Sequence, residues 1–259
     1  MNDSISTHTY GLIGYPLGHS FSKGYFTDFF SREGINAEYK NFELPQIDDL
    51  RHVLERENHL QGFNVTIPYK QQVFKFLDEV DPAAEAIGAV NVVKVKREQG
   101  RISLKGYNTD VIGFSESIRQ LLQPHHTHAL VLGTGGASKA VHYALEQLGV
   151  TTMAVSRTRG EHILAYEDLT PEVLAQYKVI VNTTPLGMHP KEDECPALDY
   201  SVINEQYLLF DVIYNPEKTL FLQRGEQAGA TICNGMDMLI GQAKAAWRIW
   251  NASEPAEAL

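Results

Sequence analysis

The stretch GFNVTIPYKQ, residues 62–71, carries an apolar strand-like run directly into Asn64, Thr66 and Lys70. A flexible ammonium at the end of a buried strand suits polarising and protonating an oxygen that gains negative charge, because its charge and proton affinity respond to burial and neighbours. The competing reading is a surface lysine snorkelling from a helix start, since Pro68 suits such a start near Tyr69. A second stretch, LVLGTGGASKAV, places Gly133, Gly135 and Gly136 between an apolar strand and an apolar-faced helix. A turn of that kind lets backbone N–H groups at a helix start approach a pyrophosphate with no Cβ in the way. Ser138 stands where a third glycine is usual, and its small side chain still permits close helix–strand packing. A plain tight turn is the alternative, but strand, turn, helix and strand within 128–158 form the context a dinucleotide site needs.

The strand after that helix ends in SRTRG, offering Ser156, Arg157, Thr158 and Arg159 where an NAD site places a carboxylate for the ribose 2′-hydroxyl. A guanidinium forks well onto a phosphate, so the expected cofactor is NADP, against a solvent-facing arginine as the plain alternative.

These groups need elements to hold them. Short apolar runs alternate with amphipathic stretches, which predicts βαβ units, parallel sheets and an α/β fold. Strands are expected at YGLIG (10–14), AEYKNFEL (37–44) and QGFNVT (61–66), with helices at 22–34 and 46–57. AVNVVKVK and RISLKG flank Glu98-Gln99-Gly100 as a hairpin. A helix is predicted over 110–122, followed by a solvated Pro-His-His segment with His125, His126 and His128. KVIVN and LLFDV supply buried strands, and MDMLIGQAKAAWRIW a last helix striped by Leu239, Ala243, Ala246 and Trp250. Ser253 to Leu259 reads as a loose tail, and no repeat or low-complexity segment is present.

Bulk properties narrow the function classes. The chain has 259 residues, enough for one large or two modest domains. A net charge of −10 argues against nucleic-acid binding, which calls for a basic face. No apolar run approaches a membrane span and no secretory signal is visible, so no membrane partner is expected. Cys195 and Cys233 are the two cysteines, too far apart for a Cys-x-x-Cys site, and a reduced cytoplasmic compartment follows. The ten histidines show no His-Glu-x-x-His spacing, and no metal is expected.

Taken together, the motifs resemble the shikimate dehydrogenase family along nearly the whole chain. They are GYPLGHSFS (14–22), NVTIPYK (64–70), GAVN (88–91), GYNTD (106–110), GTGGAS (133–138), SRT (156–158), NTTPLGM (182–188), DVIYNP (211–216) and NGMDMLIGQA (234–243). The resemblance implies NADP-dependent interconversion of 3-dehydroshikimate and shikimate, with the small-molecule substrate in a cleft between two α/β domains. Residues 1–105, completed by 235–259, would bind substrate, and residues 106–234 would form a Rossmann-type NADP domain. It implies Lys70 and Asp110 as catalytic residues, and Ser20, Ser22, Thr66, Asn91, Tyr214 and Gln242 as substrate contacts. Gly133, Thr134, Gly135, Gly136, Ala137, Ser156, Arg157, Thr158, Val212 and Gly235 match cofactor positions. The chain departs from the family at Lys23, where proline usually follows the second serine, at Ser156 in place of asparagine, and at Glu161 in place of a second arginine.

Each transferred residue also has a plainer role. Ser20 and Ser22, on a Gly/Pro-rich loop, could cap a helix. Asn91 could be a turn or strand-edge residue, Asp110 cap the helix after YNT, Gln242 be exposed, and Tyr214 be core with its hydroxyl at the surface. Two rival functions stay open: a dehydrogenase that also takes quinate or NAD, and a non-catalytic sensor of a cyclic acid or nucleotide. A monomer or homodimer is expected.

Overall fold

The computed structural model describes residues 7–18 and 20–252, so the tail expected at 253–259 lies outside the described residues. In chain order the elements of the first half are β1 (His8–Gly14), α1 (Phe21–Glu33), β2 (Ala37–Glu43), α2 (Leu50–Arg56), β3 (Leu60–Val65), β4 (Glu79–Val80), α3 (Pro82–Ile87), β5 (Val92–Glu98) and β6 (Arg101–Tyr107). The second half holds α4 (Asp110–Ile118), β7 (His128–Leu132), α5 (Gly136–Gln147), β8 (Thr151–Ser156), β9 (Ile163–Ala165), α6 (Pro171–Leu174), β10 (Val179–Asn182), β11 (Leu208–Asp211), α7 (Leu220–Gln227), β12 (Thr231–Cys233) and α8 (Met236–Asn251). The chain divides into two compact units, Met1–Thr109 with Ala243–Leu259, and Asp110–Gln242.

The first unit is a mixed sheet ordered β2-β1-β3-β5-β6-β4. β1 pairs in parallel with β2 and β3, whereas β3, β5 and β6 run antiparallel. Because successive strand residues face opposite ways, β1 serves two cores. Ile13 packs with Leu50, Val53, Phe63, Val65 and Val93. Tyr10 and Leu12 pack with Phe26 and Phe30 of α1, and with Ala243, Ala246 and Trp250 of α8. The Trp250 indole N–H is satisfied by the Val93 carbonyl at 3.0 Å. Between β5 and β6, Gln99 (φ 50°) and Gly100 (φ 79°) are both left-handed, the geometry that matches the twist of a two-residue hairpin.

The second unit is an all-parallel sheet ordered β12-β11-β10-β7-β8-β9. Its central strands are buried on both faces, as continuous apolar runs such as HALVL and VIVN require. One face packs Val131, Val181 and Phe210 against Phe114 and Val141. The other packs Leu130, Ile180 and Leu209 against Leu174 and Phe221. Strand order reverses between β7 and β10, the topological switch point of a doubly wound dinucleotide-binding sheet.

Some elements differ from the sequence expectations. The helix expected at 46–57 opens as a short 3₁₀ turn, Ile47–Asp49, and becomes α-helical only at Leu50. The helix expected to start near Tyr69 is a 3₁₀ turn, Gln72–Phe76, entered through a hydrogen bond from the Val73 N–H to the Tyr69 carbonyl at 2.9 Å. The Lys70 carbonyl, which a helix would pair with residue 74, accepts instead from the Val90 N–H at 2.8 Å. The helix from Asp110 stops at Ile118, where the N–H groups of Leu121 and Leu122 both turn back to its carbonyl. The histidine segment is exposed at Gln123, Pro124, His125, Thr127 and His128, but it is not wholly solvated. His126 is buried, its Nδ1 accepts from the Gln123 N–H, and its Nε2 and that of His125 both reach the Gln206 carbonyl. Among the described residues no helix is long and apolar enough to cross a membrane.

Candidate functional site

In the first unit the polar residues flagged by sequence collect at the carboxyl ends of β1 and β3. Asn64 is buried in β3 and accepts a 2.6 Å hydrogen bond from the Tyr39 hydroxyl of β2. Burial raises the Tyr39 pKa well above the ordinary range, against the effect of a hydrogen bond from Ser22. Ser22 thus hydrogen-bonds Tyr39 and does not cap α1. The cap is Ser20, whose Oγ accepts from the Lys23 N–H at 3.2 Å. Thr66 and Lys70, both half-buried, flank the Ile67-Pro68 turn beyond β3. Tyr69 between them is buried, and its hydroxyl donates to the Leu44 carbonyl.

Val90 and Asn91 tie this patch to Thr109, within the same unit. The Val90 N–H fixes the Lys70 backbone, and the Asn91 carbonyl accepts from the Val65 N–H at 2.8 Å. The buried Asn91 amide grips Thr109 twice: its Oδ1 accepts from the Thr109 N–H at 2.7 Å and its Nδ2 reaches Thr109 Oγ1 at 3.1 Å. Asn91 is therefore more than a strand end. Asp110 follows as the first helical residue of α4, 7% exposed, so it is one position inside the helix rather than at its cap. The positive end of the helix dipole favours a carboxylate there.

In the second unit the glycine turn lies at the switch point. Gly133 has φ 108°, a left-handed backbone, and a Cβ on it would stand 2.7 Å from Thr183 Oγ1. Gly135 caps α5 without any side-chain hydrogen bond, and a Cβ there would meet nothing within 4 Å. The α5 start thus presents uncapped backbone N–H groups on a side free of side chains, which fits a pyrophosphate. Gly136, Thr134 and Ala137 share this turn, and Ser138 is buried with its Oγ donating to the Gly135 carbonyl at 2.8 Å. On the neighbouring loops Gly235 lies so close to β11 that a Cβ would fall 2.1 Å from the Val212 carbonyl oxygen. Tyr214 is half-buried and Gln242 is buried rather than exposed.

Beyond β8, Ser156 is half-buried, and Arg157 and Thr158 are exposed. Arg159 is held by Asp168, with Nε donating to Oδ2 at 3.0 Å and Nη2 to Oδ1. Arg157 makes no hydrogen bond or ion pair among the described residues.

Several residues at this edge carry structure that the motif reading passed over. Asp211, wholly buried at the end of β11, accepts from Asn182 Nδ2 (3.1 Å), the Ile213 N–H (3.0 Å) and the Thr219 hydroxyl (2.6 Å). Burial pushes its carboxyl up to about 6, with those three donors pulling the other way. Asn182 also accepts from the Thr184 N–H and hydroxyl, and Thr183 Oγ1 donates to the Leu132 carbonyl at 2.6 Å. The visible signal was polar residues closing otherwise apolar strands in VIVNTT and LLFDV.

Comparison with known proteins finds relatives along nearly the whole chain. Residues 12–93 match the model of the shikimate dehydrogenase substrate binding domain. The NADP(+) shikimate dehydrogenase of Carboxydothermus hydrogenoformans is 37% identical across 95% of this chain and 92% of its own. The crystal structure of shikimate 5-dehydrogenase from Thermus thermophilus, in complex with NADP(H) and shikimate, matches with a TM-score of 0.81, 30% identity and coverage of 96% and 95%. Quinate dehydrogenase from Corynebacterium glutamicum, in complex with NAD, matches with a TM-score of 0.83, 28% identity and the same coverage.

Proposed function

Since the chain belongs to the shikimate dehydrogenase family, we infer that it catalyses the reversible NADPH-dependent reduction of 3-dehydroshikimate to shikimate, a step toward the aromatic amino acids. The observation that carries this reading is the polar patch at the carboxyl edge of the first sheet, where hydrogen bonds link Ser22, Tyr39, Asn64, Asn91 and Thr109 beside Lys70. Such a patch suits a polyhydroxylated ring acid, which needs neutral donors and acceptors at fixed places.

NADPH supplies the hydride. Lys70 stabilises the negative charge that builds on the carbonyl oxygen and gives it a proton, and Asp110 brings the carboxylate of the acid–base pair. Ser20 and Ser22 hold the substrate carboxylate, Thr66 and Asn91 take ring hydroxyls, and Tyr214 and Gln242 complete the substrate contacts. Gly133 to Ala137 seat the pyrophosphate, and Arg157 with Ser156 and Thr158 holds the 2′-phosphate end. Val212 and Gly235, on the loops after β11 and β12, serve the nicotinamide end. Substrate falls to residues 1–105 with 235–259 and nucleotide to 106–234. The reaction fits a cytoplasmic enzyme, acting as monomer or homodimer.

Mixing the purified protein with shikimate and NADP should raise the absorbance of the reduced nicotinamide, and no rise would sink the assignment. Use of quinate and NAD is the second reading, favoured by the likeness to the Corynebacterium quinate dehydrogenase. Equal or better kcat/KM with quinate or with NAD would establish it.

A further inference from the structure

The two arginines after β8 are in different states. Arg157 has no partner among the described residues, whereas the Nε–Nη2 edge of the Arg159 guanidinium is taken by one carboxylate, that of Asp168. Asp168 is itself anchored, because its Oδ2 also accepts the Ala165 N–H at 2.8 Å, and its side chain is only 16% exposed. Ala165 ends β9, which pairs with β8 through Ser156, so the carboxylate is fixed to the sheet while the arginine stem is flexible. The chain bends at Arg157 and Thr158, and residues two apart lie within about 7 Å in any backbone conformation, less than the two arginine side chains together span, so both guanidiniums can reach a phosphate bound there.

We propose that Asp168 sets the strength of NADP selectivity in this chain by withholding Arg159 from the 2′-phosphate. Arg157 is left as the engaged cation, and a second cation is present but spent on an internal pair. The inference rests on the reading of the SRTRG segment as the site of the 2′-phosphate. The Asp168 carboxylate offsets the charge of Arg159 and ties its Nε–Nη2 edge to the end of β9, so removing the carboxylate charge frees Arg159 for the phosphate.

The test is calorimetric titration with 2′,5′-ADP and with 5′-AMP, which differ by the phosphate in question. Asp168→Asn keeps an oxygen to accept the Ala165 N–H and loses the charge. It should tighten 2′,5′-ADP about 3- to 10-fold and leave 5′-AMP unchanged, as expected for a partly exposed pair. Adding Arg159→Ala to Asp168→Asn should return the affinity to the wild-type value. No gain, an equal gain for both nucleotides, or a gain that survives loss of Arg159 would overturn the proposal. Should Asp168→Asn fail to fold, Arg159→Ala in the wild-type chain decides. A change within about twofold supports withholding, and a loss as large as that of Arg157→Ala refutes it. Arg157→Ala tests the underlying reading separately: it should weaken 2′,5′-ADP about 10-fold or more and spare 5′-AMP. If Arg157→Ala is silent while Asp168→Asn still gains, the reading of Arg157 fails and the role of Asp168 stands.

Discussion

At the residue scale, Lys70 was legible because an ammonium beside Asn64 and Thr66 is an unusual way to end a buried strand. Its backbone partner was not, since Val90 lies 20 positions away and no local pattern announces it. Replacing Lys70 by Ala should lower turnover about 10²- to 10⁴-fold with little change in NADP affinity. Lys70→Arg should not restore it, because a guanidinium hardly releases a proton. Retention of more than about a tenth of wild-type turnover would remove Lys70 from the proton transfer. The two serines looked alike in sequence and separate in the structure. Ser20 caps α1, and Ser22 bonds to buried Tyr39. Ser20→Ala should therefore cost about 1 kcal/mol of stability as well as substrate affinity. Ser22→Ala should weaken shikimate about 10-fold and, by removing a hydrogen bond of the buried Tyr39 hydroxyl, cost about 0.5–1.5 kcal/mol of stability. Calorimetry with shikimate, set beside urea melts of the same variants, separates binding from stability.

At the element scale, the parallel architecture could be read because its buried strands are continuous apolar runs and its hairpin carries Gln99-Gly100. Boundaries were harder. The helix start near Tyr69 had a suitable proline, but a tertiary hydrogen bond claimed the Lys70 carbonyl and a 3₁₀ turn, Gln72–Phe76, formed in place of an α-helix. Short elements such as β4, α6 and β12 are too brief to show a period. The loops after β11 and β12 are bound by contact rather than by composition, as Gly235 illustrates. Its N–H donates to the Ile213 carbonyl at 3.0 Å, and it has room for hydrogen alone beside the Val212 carbonyl. Gly235→Ala must push backbone from backbone, which no side-chain rotation relieves. The expected result is a loss of NADP affinity of about 10-fold or more with a destabilisation of about 1–3 kcal/mol. Unchanged binding by titration would show that the two loops do not set the nicotinamide end.

At the scale of the whole molecule, stability carries the mark of one buried carboxylate that the motifs did not single out. Asp211 moves from an ordinary 3.8 to about 6 on folding, because its desolvation outweighs three donors. In the window between those values the folded chain keeps a proton that the unfolded chain has released. Stability from this group is thus full below about pH 4 and is lost as pH rises through about 6. A shift of about two units corresponds to roughly 3 kcal/mol. Glu38 and Asp168 run the opposite way, since hydrogen bonds from Lys40 and Arg159 respectively lower their values, so the pH profile of the wild type mixes both signs. Comparison with Asp211→Asn isolates the one group. The amide keeps an acceptor for the Ile213 N–H, and the Thr219 hydroxyl can turn to accept from its NH₂. Urea melts near pH 4 and near pH 7 should show the variant gaining on the wild type by up to roughly 3 kcal/mol as pH rises. A stability difference that stays flat across that window would mean that the Asn182, Ile213 and Thr219 donors hold Asp211 ionised in the folded chain, and that its burial costs nothing at neutral pH.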